Sequence, residues 1–183
     1  PTGTYNTHKE IEDFLLNVPS NILVVLDCAY YEYVQENDYV DVHQLLNKYE
    51  NLIVTKSFSK IQGLAAIRLG YGLANASLIE SLNRIRQPFN INSFAQKLAI
   101  NAIDDKEHIQ KSIDVNQEGL KYLSAELSKL KLTTIPSVGN FISFNGQFNG
   151  KELFEALLRK GIIVRQIDLY DMPDFIRVTA VSY

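Results

Sequence analysis

Two short, uninterrupted apolar runs constrain the fold of this chain more than any other feature of its sequence. They occupy residues 22–26 and 52–55, and a polar residue lies on each side of both runs. Such runs are typical of strands that are buried on both faces of a parallel sheet. Helical patterns separate and follow them, so the first part of the chain is predicted to be α/β, with a parallel or mostly parallel sheet. Residues 69–73 are predicted to form a third strand of this part.

Capping residues and apolar spacing predict the helices. Thr7 and Glu10 have the spacing of a capping box, so the first helix is expected to begin at Thr7. Ser93 is expected to cap a later helix that continues through Ile103. The remaining helices of this part are predicted near residues 42–49, 78–85 and 106–130.

The pattern changes after the long helix. Predicted strands occupy residues 132–135, 140–144, 162–167 and 175–181, and an amphipathic helix over residues 151–160 ends at Gly161. We therefore predict part of a large domain over residues 1–112 and a smaller, incomplete α+β domain over residues 113–183. The helix at about 106–130 is expected to join them.

Composition excludes several classes of protein. The net charge of −3 argues against a nucleic acid or an anionic membrane held by bulk charge. No apolar run approaches the ~20 residues of a membrane span, and no signal peptide is recognisable. The single cysteine excludes an internal disulfide and fits a reducing cytoplasm. Three scattered histidines and this cysteine have no metal-ligand spacing, so no metal site is predicted.

The segment that follows the second apolar run carries the chemistry. Lys60 lies between the hydroxyl residues Ser57 and Ser59 and an arginine eight positions later, Arg68. A lysine amine can condense with a carbonyl to form a Schiff base. An arginine fork and two hydroxyls can hold a phosphate. The segment therefore favours a ligand that carries both a carbonyl and a phosphate.

Four segments in order resemble the fold-type I pyridoxal-phosphate aminotransferases, and most of all the histidinol-phosphate aminotransferase family. They are PTG at residues 1–3, DCAY at 27–30, SFSK with GLAAIRLGY at 57–71, and FIRV at 175–178. RQPFNIN at 86–92 also resembles that family. The resemblance covers essentially the whole chain and implies pyridoxal 5'-phosphate as the cofactor. The chain starts without methionine and stops in the middle of a β-rich run, so we expect it to be a piece of a longer protein.

The resemblance implies a role for each cofactor-binding residue. Asp27 corresponds to the carboxylate that keeps the cofactor's ring nitrogen protonated, although a residue at a strand end can equally be a turn cap. Tyr30 resembles the tyrosine that bonds the cofactor's phenolic oxygen and tunes the pKa of the Schiff base; a packing tyrosine is the alternative. Lys60 would form the Schiff base and then move the proton, whereas most lysines are simply solvated.

The resemblance assigns the cofactor phosphate to three residues, Ser57, Ser59 and Arg68. Cofactor contacts that the family takes from its first half, including a Gly-containing phosphate loop and a stacking aromatic ring, are absent from this sequence. Whether the chain binds the cofactor by itself therefore stays open.

Three further residues correspond to substrate-binding positions of the family. Arg177 matches the arginine that takes the α-carboxylate of the amino-acid donor, and an unpaired arginine within a strand would be costly to bury. Arg165 resembles an arginine that meets the substrate phosphate. Asn140 resembles a substrate-side asparagine, and a plain turn residue before a strand is an equally good interpretation.

Two neighbouring residues receive no catalytic role. Cys28 takes a place that is often glutamate in the family, and we interpret it as a small buried filler and not as a nucleophile. Lys56 lies four positions before Lys60, matches no catalytic place in the motif, and is expected at the surface.

The resemblance thus implies a homodimeric transaminase, and the single cysteine fits a cytoplasmic one. It would pass the amino group of glutamate to a 2-oxo partner, imidazole-acetol phosphate in histidine biosynthesis if the closest resemblance holds. The alternatives are an aromatic or broad-specificity aminotransferase, or a decarboxylase of a phosphorylated amino acid with the same fold. A non-catalytic aminotransferase-like fragment is the alternative from another class.

Overall fold

The computed structural model describes residues 1–146 and 148–180. Its contacts divide the chain into two compact units. The N-terminal unit is Asn6–Gln110, and the C-terminal unit combines Pro1–Tyr5 with the chain from Lys111 onward. In the described part of the chain, no helix is both long and apolar enough to cross a membrane.

The sheet of the N-terminal unit is mixed. Its strands are β1 (Val24–Asp27), β2 (Leu52–Ser57) and β3 (Gly70–Ala74), in the order β1-β2-β3. β1 and β2 are parallel, with Asp27 beside Thr55, but β3 runs antiparallel to β2. The prediction of a mostly parallel sheet is wrong for these strands. The connection from β2 to β3 contains a short 3₁₀ turn and no α-helix, so the chain reverses direction and makes no crossover.

The helices of the N-terminal unit begin close to their predicted caps. The capping box of Thr7 and Glu10 is formed at the start of the first helix. The cap of the fourth helix is Asn92, not Ser93, because the Asn92 side chain accepts from the Ala95 N–H at 2.8 Å. The helices are α1 (His8–Asn17), α2 (Val42–Lys48), α3 (Ala76–Ile85), α4 (Ser93–Ile103) and α5 (Lys106–Lys129), of which α5 continues into the C-terminal unit.

A hydrophobic core lies on one face of β1 and β2. Val24 and Leu26 pack against it, whereas Val25 on the opposite face is 61% exposed. The prediction that residues 22–26 are buried on both faces is therefore wrong, because in the described chain the core covers only one face of β1. The buried members of the core are Leu15, Cys28, Val40, Val42, Leu45, Leu52 and Val54.

The C-terminal unit contains a fully antiparallel sheet. Its strands are β4 (Thr133–Ile135), β5 (Phe141–Asn145), β6 (Arg165–Gln166) and β7 (Phe175–Thr179), in the order β4-β5-β7-β6. The predicted strand at 162–167 shortens to β6, with Ile163 82% exposed. Helix α6 (Gly150–Arg159) is capped by Asn149, whose side chain accepts from the N–H groups of Lys151 and Glu152. Val181, the last residue of the fourth predicted strand, lies outside the described residues.

The first residues of the chain pack in the C-terminal unit. The carbonyl of Thr2 accepts from the Ser143 hydroxyl at 3.1 Å, and the carbonyl of Gly3 accepts from the Val138 N–H at 3.0 Å. Pro1–Tyr5 therefore belong to the C-terminal unit, whereas most of the predicted domain 1–112 lies in the N-terminal unit. The division into a large and a small domain stays a prediction.

Candidate active site

The turn that carries Lys60 is closed by its own backbone. The Phe58 N–H donates to the Leu69 carbonyl at 3.1 Å, and the Leu64 N–H donates back to the Phe58 carbonyl at 2.9 Å. Gly63 adopts a φ of 68°, in the left-handed region that favours glycine, and its N–H donates to the Lys60 carbonyl at 2.9 Å. Phe58 itself is 4% exposed. The lysine thus stands on a loop whose base is buried.

A residue that the sequence did not single out also holds this loop. The Nε2 atom of His108 lies 3.0 Å from the carbonyl oxygen of Ile61, and the Ile61 side chain is 1% exposed. The two residues are 47 positions apart, and no local motif links them. Only the fold could have revealed this contact.

The structure brings Tyr30 to Lys60. The Lys60 Nζ atom lies 5.0 Å from the centroid of the Tyr30 ring. The tyrosine comes from the segment after β1, and the Cys28 N–H ties that segment to the Thr55 carbonyl of β2 at 2.8 Å. Two neighbouring parallel strands therefore deliver these side chains from their carboxyl ends, the edge at which open α/β sheets bind ligands.

Asp27 ends β1 at the same edge. Its carboxylate is exposed, and its Oδ1 atom accepts from the Ala29 N–H at 3.0 Å. This bond is the turn cap that the sequence allowed as an alternative. A capping bond to one oxygen fixes the carboxylate without consuming its other oxygen, so a cap and a ligand contact are compatible.

The predicted phosphate-binding residues lie around the same turn. The Ser57 hydroxyl oxygen accepts from the Ser59 N–H at 3.0 Å. Arg68 has a φ of 53° and donates from one guanidinium nitrogen to the Ala65 carbonyl at 3.0 Å. It lines an open cleft together with Asn90 and with Ala66, Ile67, Ile91, Asn92 and Phe94. The cleft thus joins Arg68 to the segment RQPFNIN.

The three predicted substrate residues all lie in the C-terminal unit. Arg177 donates to the Pro1 carbonyl at 3.0 Å, and its guanidinium carbon lies 4.4 Å from the centroid of the Phe141 ring. Arg165 is the cross-strand partner of Arg177 in the pairing of β6 and β7. The carbonyl of Asn140 accepts from the Ala180 N–H at 2.9 Å, so its backbone extends the sheet. The two arginines are neighbours, and Asn140 serves at least as a structural residue.

Of the two residues without a predicted catalytic role, one has the predicted burial and the other does not. Cys28 is 2% exposed, which confirms the prediction of a buried residue, and burial raises the pKa of its thiol to about 12. The surface position predicted for Lys56 is wrong. Its side chain is only 12% exposed, its Nζ atom lies 2.9 Å from Glu32 Oε1, and the ring of Tyr31 lies beneath it.

Potential metal ligands do not cluster within residues 1–146 and 148–180. Nowhere in these ranges do three His, Cys, Asp or Glu side chains gather in a way that could hold a metal ion.

The fold of the described residues is that of the class I aminotransferases. Histidinol-phosphate aminotransferase from Sinorhizobium meliloti, in complex with pyridoxal-5'-phosphate, matches with a TM-score of 0.91 at 23% identity. The match covers 98% of this chain and 50% of that one. At this identity the likeness establishes the fold alone.

The sequence comparison identifies the family. The chain matches aminotransferase class I and II over residues 1–182 and belongs to that family. It is 46% identical to the histidinol-phosphate aminotransferase of Caldicellulosiruptor saccharolyticus, covering 98% of this chain and 50% of that protein. It is 45% identical to histidinol-phosphate aminotransferase 1 of Nitrosococcus oceani, covering 98% and 48%. The chain thus spans about half the length of the curated relatives it matches.

Proposed function

We propose that this protein is a pyridoxal-phosphate-dependent aminotransferase that passes the amino group of glutamate to imidazole-acetol phosphate, giving histidinol phosphate in histidine biosynthesis. The observation that carries the proposal is the approach of Lys60 to Tyr30, at 5.0 Å from ammonium to ring centroid. It occurs at the carboxyl ends of β1 and β2, beside Asp27. The names of the relatives support the choice of substrate.

The side chains at this edge fit the cofactor's chemistry. Bound pyridoxal phosphate supplies an electron sink for the amino group's carbon. Lys60 offers the amine that would attach it, and the same amine can hold and move a proton once released. The exposed carboxylate of Asp27 would meet a protonated ring nitrogen, and the Tyr30 hydroxyl would meet the phenolic oxygen. Ser57, Ser59 and Arg68 would hold the phosphate.

The C-terminal unit supports an anionic substrate. Arg165 and Arg177 stand opposite each other on adjacent antiparallel strands, and like charges in such a pair destabilise a sheet. An anion between or beside the two guanidinium groups would relieve that repulsion. Arginine also binds carboxylate and phosphate with two parallel hydrogen bonds. We therefore assign Arg177 to the donor's α-carboxylate and Arg165 to the phosphate of the acceptor. Asn140, whose carbonyl accepts from the Ala180 N–H just beyond the strand of Arg177, is assigned as a further substrate contact.

The proposal includes the division into domains, the location in the cell and the oligomeric state. We propose that residues 1–112 are part of a large cofactor-binding domain and that residues 113–183 begin a small α+β domain. We also propose a cytoplasmic homodimer. Large apolar side chains exposed on and just before α4 offer surface that a partner subunit could bury: Phe89 is 98% exposed, Phe94 68% and Ile100 70%. Sedimentation of the purified protein would test the dimer.

The proposal is tested by spectroscopy of the purified protein with pyridoxal phosphate. We expect a yellow absorption band, and we expect borohydride to fix the label on Lys60, as located by peptide mapping. Lys60→Ala should abolish both signals, whereas Lys97→Ala, at an exposed lysine of α4, should leave them unchanged. Absence of the band from the unaltered protein, or a label on another lysine, would contradict the assignment.

Substrate choice is tested next, on the cofactor-loaded protein. Glutamate should bleach the yellow band, and imidazole-acetol phosphate should restore it with formation of histidinol phosphate. Restoration by aromatic 2-oxo acids alone would favour the broader aminotransferase alternative. Release of carbon dioxide from a phosphorylated amino acid would favour the decarboxylase. No response to any amino acid would favour the non-catalytic alternative.

A further inference from the structure

Lys56 ends a buried row of side chains on β2. Alternate residues of a strand point to the same face, so Leu52, Val54 and Lys56 share one face and Ser57 takes the other. Leu52 and Val54 are both 0% exposed in the hydrophobic core. The Lys56 side chain, 12% exposed, therefore brings a charge to the margin of that core, where an ammonium needs partners.

Both partners come from the short turn after β1. Glu32 Oε1 lies 2.9 Å from Lys56 Nζ, and the ring centroid of Tyr31 lies 3.7 Å from the same atom. The Glu32 side chain is 20% exposed, so the ion pair is largely shielded from water. Tyr31 also packs against Tyr39, with ring centroids 5.4 Å apart. Lys56 thus fastens the 3₁₀ turn Tyr31–Tyr33 to β2.

The adjacent tyrosine faces the other lysine of the segment. Tyr30 lies beside Lys60, and its carbonyl accepts from the Tyr33 N–H at 3.1 Å at the start of the same turn. Because Tyr30 and Tyr31 are consecutive, the anchor beneath Tyr31 restricts the positions open to the Tyr30 ring. Two lysines four residues apart therefore contact two consecutive tyrosines.

We propose that Lys56 is a positioning residue, which through Glu32 and Tyr31 holds Tyr30 at the place from which it meets the cofactor at Lys60. Lys56 itself does not touch the cofactor. The proposal rests on the proposed function for its link to the cofactor, but the clamp on the turn can be measured in the protein alone.

The first measurement is hydrogen exchange of the protein without cofactor. Lys56→Met keeps most of the apolar stem and removes the charge, and Glu32→Gln removes the partner charge. Loss of a charged hydrogen bond shifts a local equilibrium about 10- to 100-fold. We expect exchange of the Tyr33 and Val34 amides, which close the turn, to accelerate by that factor. Exchange of the β2 amides, as internal reference, should change little.

The second measurement is the affinity for pyridoxal phosphate, followed by its absorption band. Lys56→Met and Glu32→Gln should each weaken binding by up to about tenfold, since a displaced Tyr30 hydroxyl would lose its hydrogen bond to the cofactor. Lys56→Arg keeps the ion pair and the ring contact, so it should restore both exchange and affinity. A merely structural lysine would not couple these two readouts.

The matched control is a second lysine of the same unit with the same kinds of partner. Lys48 Nζ lies 2.7 Å from Glu12 Oε1 and 5.4 Å from the ring centroid of Tyr49, and its side chain is 51% exposed. Lys48→Met should leave both the turn and the affinity unchanged.

The outcomes separate this inference from the proposed function. Faster exchange together with weaker binding, both rescued by arginine, would support it. Unchanged exchange at the turn would overturn the clamp. Faster exchange with unchanged affinity would overturn the positioning role. An unaltered protein that binds no pyridoxal phosphate would refute the proposed function and the positioning role together, whereas the exchange data would still decide the clamp.

Discussion

Cys28 offers a direct test of how the N-terminal unit is packed, because it is the one cysteine of the sequence. Its side chain is 2% exposed. Burial raises the pKa of its thiol from 9.0 to about 12; the Lys56 ammonium opposes the rise, and the Asp27 carboxylate adds to it. Only the thiolate attacks alkylating and disulfide reagents. We therefore expect the native protein to resist labelling at pH 8.

The expected protection follows from the pKa. A rise of the thiol pKa from 9.0 to about 12 lowers the thiolate fraction at pH 8 about 1000-fold, since each pKa unit is a factor of ten. Lack of access lowers the rate further, so labelling should follow the population of opened molecules. Leu45→Ala removes a side chain that is 0% exposed in the same core. Such changes cost about 2–5 kcal/mol, which raises the opened population about 30-fold or more.

The assay is the rate of thiol labelling at pH 8, measured in native protein and in denaturant. Leu16→Ala, at a leucine of α1 that is 61% exposed, is the matched control and should leave the native rate unchanged. A native rate within about tenfold of the denatured rate would refute the reasoning, and so would equal acceleration by the two leucine variants. The raised thiol pKa also predicts that the unit loses stability as the pH rises from 9.0 towards about 12, because the unfolded thiol ionises first.

Three further predictions concern other parts of the chain. Arg177→Ala should raise the KM for glutamate about 10- to 100-fold, by loss of a charged hydrogen bond, in steady-state assays of the loaded protein; an equal loss of cofactor affinity would contradict its assignment to the substrate. Gly150→Ala should destabilise the C-terminal unit in urea titrations by more than Gly161→Ala. A Cβ at Gly150 would overlap the Pro173 carbonyl. A Cβ at Gly161 would meet open space, so the alanine substitution there costs only about 1 kcal/mol of backbone strain, from the φ of 77°. Thr7→Ala should cost about 1 kcal/mol of stability by loss of the helix cap; an unchanged denaturation midpoint would contradict that role.

Local signals predicted most of the secondary structure. The capping box at Thr7 and Glu10 is formed as expected, because its hydrogen bonds lie within four residues. The relative direction of two strands depends on whether the chain between them reverses or crosses over. No local pattern distinguishes these two connections, and the prediction that β3 runs parallel to its neighbour is wrong for this reason. The length of β6 was also not predictable from local sequence, because only Arg165 and Gln166 pair with β7.

For the site as well, the contacts that local sequence patterns indicate were predicted, and contacts between distant residues were not. The resemblance implied that Tyr30 and Lys60 serve one cofactor, and the structure brings the two side chains together, since each residue follows a strand that an apolar run indicated. The anchor of Lys56 was missed because the lysine was judged by charge alone. Its position two residues after Val54, on the buried face of the same strand, was the signal that could have revealed it. The contact of His108 with the Ile61 carbonyl had no signal of any kind in the sequence.

The placement of the first five residues in the C-terminal unit has a consequence for synthesis on the ribosome. All of the N-terminal unit lies within Asn6–Gln110, so it can begin to pack as soon as that stretch has emerged. The C-terminal unit cannot complete its contacts until Arg177, which is 176 positions from its partner Pro1, has been made. At roughly 5–20 residues per second, on the order of ten seconds pass between synthesis of Pro1 and synthesis of its partner Arg177. During that interval, residues 1–5 lack these contacts and are available to chaperones.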